Sequence, residues 1–181
     1  VRQFVGSEHA TVAMGMVVRA PRYLEDPTEL LLSATEREIP YLRALAFKNL
    51  GVFFAPLDPP ERVIERVKVG MTDTDPLVRA AAVGAAGRIG GGMQELLDEL
   101  IAALDDRSTF ERRHAVADTE FFSLYGAWKR DPAVEVRLVA IWTIQHVTDT
   151  FYGFVSVGDT QDDIDQMVAR IKEDLAGRSG G

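Results

Sequence analysis

Three side chains able to share a metal ion fall at helical spacing in Glu111-x-x-His114-x-x-x-Asp118. Residues three and four apart lie on one helical face, so on a helix all three would project together. A Glu-x-x-His pair holds iron in helical bundles when a second such pair and two further Glu converge on it. This sequence has only one Glu-x-x-His. Arg112 and Arg113 stand beside the carboxylates, and local ion pairing accounts for the stripe without a metal. No metal and no cofactor are expected, with Glu111, His114 and Asp118 the candidates should a metal bind.

Other reactive groups are scattered. His9, His114 and His146 are far apart, and no His-Glu-x-x-His pattern suggests zinc. His146 follows Trp142 at helical spacing and is expected to be half-buried beside that ring. The chain has no Gly-x-Ser-x-Gly elbow for a nucleophilic serine. Gly84-x-x-Gly87-x-x-Gly90 and Gly90-Gly91-Gly92 neither follow a strand nor end in Gly-Lys-Ser/Thr, so helix packing and helix ending explain them better than a phosphate loop. Cysteine is absent, which removes disulfides, thiolate metal sites and thiol nucleophiles together.

Composition fits a folded binding protein better than a nucleic-acid binder. With 181 residues, 46% of them hydrophobic, one domain with a real core is expected. Lys and Arg number 20 against 28 Asp and Glu, and the net charge of -8 repels a phosphate backbone on average. No stretch approaches the roughly 20 apolar residues needed to span a bilayer. Ala10 to Val18 lacks the basic start and cleavage pattern of a signal peptide. The chain opens on Val1 rather than Met, which leaves open what precedes it, and a cytoplasmic setting is expected from the rest.

The elements that would position any site are helical. Pro60 to Gly92 reads as two helices. Val63, Ile64, Val67 and Met71 recur at helical spacing in the first, opposite Glu61, Arg62, Glu65, Arg66 and Lys68. The second opens with Asp75 as cap and Pro76 at the first position, where a missing N–H costs nothing. Its stripe of Val78, Ala82, Ala85 and Ile89 is diluted by small residues that would let another helix approach closely, and Gly90-Gly91-Gly92 ends it.

Asp73-x-Asp75-Pro76-x-Val78-Arg79-x-x-Ala82-x-x-Ala85-x-x-x-Ile89-Gly90 resembles the second half of a HEAT repeat, especially the variety described in phycobilisome lyases. The resemblance implies that Val78 packs inward and that Arg79 braces neighbouring turns through an Asp. The same grammar recurs at Asp131-Pro132-Ala133-Val134-Glu135-Val136-Arg137, which is expected to open a helix. Asp105-Asp106-Arg107-Ser108, leading to Phe110-Glu111-Arg112-Arg113 after a Met93 to Leu104 helix, repeats it more loosely. So does Ile39-Pro40-Tyr41-Leu42-Arg43 after Leu30 to Ile39. Anchored on Arg43, Arg79, Arg113 and Arg137, the steps are 36, 34 and 24 residues. The first two fit helical-repeat periods of roughly 34 to 47, and the last requires a shortened third repeat or a different register.

The expected fold is therefore all-α, a solenoid of HEAT-like antiparallel helix pairs, in one domain spanning 1–181. A cap covers 1–26, the repeats 27–148, and a loop with a capping helix (Asp162 to Leu175) fills 149–181. Such arrays offer an extended surface lined by the second helix of each pair. A non-catalytic protein-interaction or scaffold role is the leading expectation, with a basic partner surface favoured by the charge and no membrane or nucleic acid. Lyase-like or glycosylase-like HEAT enzymes and a structural subunit of a larger assembly are the rivals. Phe121, Phe122, Tyr125, Trp128, Trp142 and Phe151-Tyr152 form the largest apolar payload, by default core and otherwise a partner groove. The expected partner surface comprises Arg113, His114, Trp142 and His146.

Overall fold

The computed structural model describes residues 23–89, 96–111, 133–155 and 159–178, together with Val17 and Arg19. Among them run seven helices and two short strands. They are α1 (Thr28–Ala34), α2 (Pro40–Phe54), α3 (Glu61–Met71), α4 (Pro76–Ala86), α5 (Leu97–Ala103), β1 (Thr109–Glu111), β2 (Ala133–Glu135), α6 (Val136–Val147) and α7 (Gln161–Arg178). The fold is all-α and solenoid-like.

The helices begin and end where their chemistry dictates. Asp75 caps α4 by accepting the Leu77 N–H at 2.9 Å, and Pro76 takes the first helical position. In α3, Val63, Ile64, Val67 and Met71 are buried while Glu61, Arg62 and Glu65 face water. The α4 helix stops at Ala86, with Gly87 as its C-cap, earlier than the triple glycine suggested; Gly90-Gly91-Gly92 lies outside the described residues.

Two layers result. The first helices α1 and α3 pack on their partners α2 and α4, while α2 packs on α4 and α4 on α6 in a row of second helices. Small residues permit that row. A Cβ on Gly51 of α2 would lie 2.8 Å from the Ala85 backbone of α4, and one on Gly87 would lie 2.7 Å from the Thr143 side chain of α6. α5 packs on α6, so α6 holds the second-helix place of the third pair. Every residue of α6 from Val136 to Ile144 is buried. A helix apolar on all sides must be covered on all sides, and this one is. The final helix α7 buries Ile164, Met167, Val168, Ile171 and Leu175 and turns Asp162, Asp163, Arg170 and Glu173 to water.

The third pair departs from expectation. Thr109–Glu111 and Ala133–Glu135 are antiparallel strands, with Phe110 opposite Val134. Both of those side chains are buried. The turn after α5 therefore does not feed a helix at Phe110, and Ala133–Glu135, expected within a helix, are a strand. Cross-strand pairing of Phe110 with Val134 outweighs the helix-start pattern, and α6 begins only at Val136.

Candidate interaction surface

One arrangement repeats from pair to pair. Arg43 of α2 donates to Asp73 through Nε (2.9 Å) and Nη2 (2.7 Å), and its Nη1 reaches the Arg37 and Glu38 carbonyls at 2.9 and 3.0 Å. Arg79 of α4 does the same one pair later. It donates to Asp106 through Nε (2.6 Å) and Nη2 (3.3 Å), while Nη1 reaches the Asp73 and Thr74 carbonyls at 2.7 and 3.2 Å. Each guanidinium spans its own turn and the next. A planar fork with five donors can hold two carboxylate oxygens and two carbonyls at once, which an ammonium cannot. Replacing Arg79 by Lys is expected to lower stability by about 1 kcal/mol or more. A urea midpoint unchanged from that of the parent chain would mean that the brace has no energetic weight.

Arg137 supplies the third rung. Its Nε donates to Glu135 at 2.6 Å, Nη1 to Asp165 and Nη2 to Gln161, and the side chain is 1% exposed. The backbone shows why Arg137 follows Arg79 directly. Asp73 accepts the Asp75 N–H at 2.9 Å, and Asp106 accepts the Ser108 N–H at 3.0 Å. The Asp75 carbonyl then takes the Val78 N–H at 3.1 Å, and the Ser108 carbonyl takes the Val136 N–H at 3.0 Å. Val136-Arg137 thus occupies the place of Val78-Arg79. Between Ser108 and Val136 the chain leaves through β1 and returns through β2. In this ladder Arg137 follows Arg79 directly, with residues 109–135 set into the turn between Ser108 and Val136. Arg113 lies outside the described residues.

Burial alone would raise the Asp73 carboxyl, but the Arg43 hydrogen bonds and charge, with the Asp75 N–H, hold it below the usual range. Asp106 is likewise lowered, against its burial, by Arg79 and Ser108. Asp165 is lowered chiefly by the Arg137 hydrogen bond. A carboxyl depressed in the folded state stabilises above its unfolded pKa and loses that contribution as pH falls through the folded value. Stability is therefore expected to fall as pH drops below about 4. Urea midpoints measured across that range should show it, and Asp73→Asn should flatten the profile. An equally steep decline in the variant would assign the acid loss to other groups.

Of the sequence-derived partner and metal candidates, Glu111, Trp142 and His146 fall among the described residues. Trp142 is 3% exposed, inside the stretch of α6 that is buried throughout, so it packs rather than presents. His146, in the last turn of α6, is exposed rather than half-buried. His9, His114, Asp118 and the aromatics at 121–128 lie outside the described residues. Glu111 is in β1 paired with Ala133, so the helical spacing that grouped it with His114 and Asp118 does not hold at its start. Among the described residues, no group of three or more His, Asp or Glu could hold a metal ion, and no helix is long and apolar enough to cross a membrane. Phe151 does emerge from the aromatic set, 67% exposed, joined by Phe154 at 89%, while Tyr152 is buried.

What the second helices leave open is a shallow groove of about 380 Å³ at the N-terminal ends of α2 and α4, where β1 departs. Ile39, Pro40, Tyr41, Pro76, Leu77 and Phe110 line it, with Asp75 as its charge. Sequence reasoning missed it because Ile39 and Tyr41 read as helix-start residues; the signal was a Pro at the first position of two successive second helices.

A family model for HEAT repeats matches residues 28–119, about half of the chain. The chain belongs to the HEAT repeat family. No curated protein shows significant similarity to it. HEAT repeats generally serve protein interaction and scaffolding, through the extended surface that stacked pairs create. The matched HEAT segment ends at residue 119, yet the arginine ladder runs on to Asp165, so the same stacking rule extends past it.

Proposed function

We propose that this HEAT array is a single-domain, non-catalytic protein-binding or scaffold module of the cytoplasm, with Arg113, His114 and His146 as additional contact candidates. The observation that carries the reading is the apolar groove across the starts of α2 and α4, open on an array whose ladder fixes its shape. Its walls are Pro, Tyr, Leu and Ile, which supply contact area with little side-chain entropy to lose. Asp75 at its edge and the net charge of -8 favour a partner with a basic face. The Asp-Pro-x-Val-Arg turn of α4 also supports repeats of the phycobilisome-lyase variety.

The test is co-purification of the tagged chain and of its Tyr41→Ala/Leu77→Asp variant from the native source. A protein held stoichiometrically by the parent and lost by the variant, with unchanged helical circular dichroism, supports the reading. A bilin-like visible absorbance in the purified protein, or excision of alkylated bases, would replace it with an enzyme of the lyase-like or glycosylase-like kind.

A further inference from the structure

We propose that the loop 149–155, between α6 and α7, is a second docking point, a knob for a protein whose contact face sets an apolar socket among Lys and Arg side chains. The Phe151 and Phe154 rings meet edge to face, centroids 4.9 Å apart, and stand 67% and 89% exposed. Two large rings left in water on a structureless loop would normally collapse onto the core. Here the intervening residues prevent it. Tyr152 and Val155 are buried, the Tyr152 N–H donates to Gln145 Oε1 at 2.9 Å, and its hydroxyl donates to Asp174. Arg178 ties the start of the loop by donating to Thr150 Oγ1 at 2.9 Å. Gly153 holds a φ of +130°, in the region that favours glycine, and a Cβ there would meet Met167. Buried anchors thus fix the outward rings before any partner arrives, which lowers the entropy cost of binding.

Charge selects the partner. From residue 138 to residue 169 the sequence has no Lys or Arg and five Asp: 149, 159, 162, 163 and 165. Asp165 is committed to Arg107 and Arg137 and Arg178 to Asp174, while the exposed Asp149, Asp162 and Asp163 outnumber the exposed Arg170 of α7. An apolar pair set in a negative field fits a socket with a basic rim, and the same field repels anionic lipid.

The full chain would be titrated calorimetrically with two synthetic amphipathic helical peptides of one leucine pattern, the other positions all Lys or all Glu. The Lys peptide is expected to bind and the Glu peptide not to. Phe151→Ala/Phe154→Ala should weaken the Lys peptide roughly tenfold or more while leaving the melting temperature unchanged. The Tyr41→Ala/Leu77→Asp variant should bind it as the parent does, which separates this knob from the groove. Four results overturn the proposal: no binding of the Lys peptide, equal binding of both peptides, undiminished binding by the phenylalanine variant, or self-association of the parent that the variant abolishes. Partition of the parent onto neutral or anionic vesicles through the two phenylalanines would overturn it as well.

Discussion

Arg137→Ala is expected to be among the most damaging single substitutions in the chain, costing about 3 to 5 kcal/mol. The guanidinium is 1% exposed and holds Glu135, Asp165 and Gln161 together across the junction of β2, α6 and α7. Removing it leaves a cavity at the base of the third pair and Glu135, 16% exposed, with its Nε donor gone. Arg137→Lys should recover only part of the loss, because one ammonium cannot face three acceptors set around a plane. The check is a denaturant titration of the three proteins. Loss of less than about 1 kcal/mol in the Ala variant would mean that the junction is held by apolar packing alone.

Gly51 gives the second large effect. A Cβ at that position would lie 2.8 Å from the Ala85 Cα and 3.2 Å from its Cβ, so α2 and α4 must separate to admit one. Gly51→Ala should therefore destabilise by about 1 to 3 kcal/mol despite the better helix propensity of alanine, and Gly51→Val by more. Gly177 is the internal control. Nothing lies within 4 Å of a Cβ there, so Gly177→Ala in α7 should stabilise by about 0.5 to 1 kcal/mol. Equal effects at both sites would show that backbone entropy, not helix approach, governs Gly51.

The contrast explains what was legible in the sequence. Asp75-Pro76 and the Val78-Arg79 pair specify a cap, a start and a brace within five residues, and all are found where the local chemistry puts them. The small-residue stripe of α4 likewise announced the close packing of α2, α4 and α6. Local signals failed where a distant segment decided the outcome. Phe110 and Val134 form a cross-strand pair across residues 109–135, and no periodicity within either segment reports on the other. That pairing is also why Ala133 to Glu135, read as part of a helix start, form a strand with a partner instead. The ladder's far ends carried a readable signal all the same. Arg43, Arg79 and Arg137 find their Asp 30, 27 and 28 residues onward, a spacing that points to Asp73, Asp106 and Asp165. Trp142 was read as surface because aromatic rings favour interfaces, but the buried run of α6 around it makes it core. Phe154 was missed for the opposite reason: a short apolar loop looks like packing until its neighbours are seen to be the anchors.

The central claim is that an arginine–aspartate ladder holds these HEAT pairs in register, and a double-mutant cycle on Arg79 and Asp106 tests it most directly. Arg79→Ala, Asp106→Ala and the double variant would be unfolded by urea beside the parent chain. The Nε and Nη2 contacts at 2.6 and 3.3 Å predict a coupling energy of about 1 to 3 kcal/mol, with the double variant little worse than Arg79→Ala alone. Additivity within about 0.3 kcal/mol would contradict it, leaving apolar helix packing as the sole basis of the array.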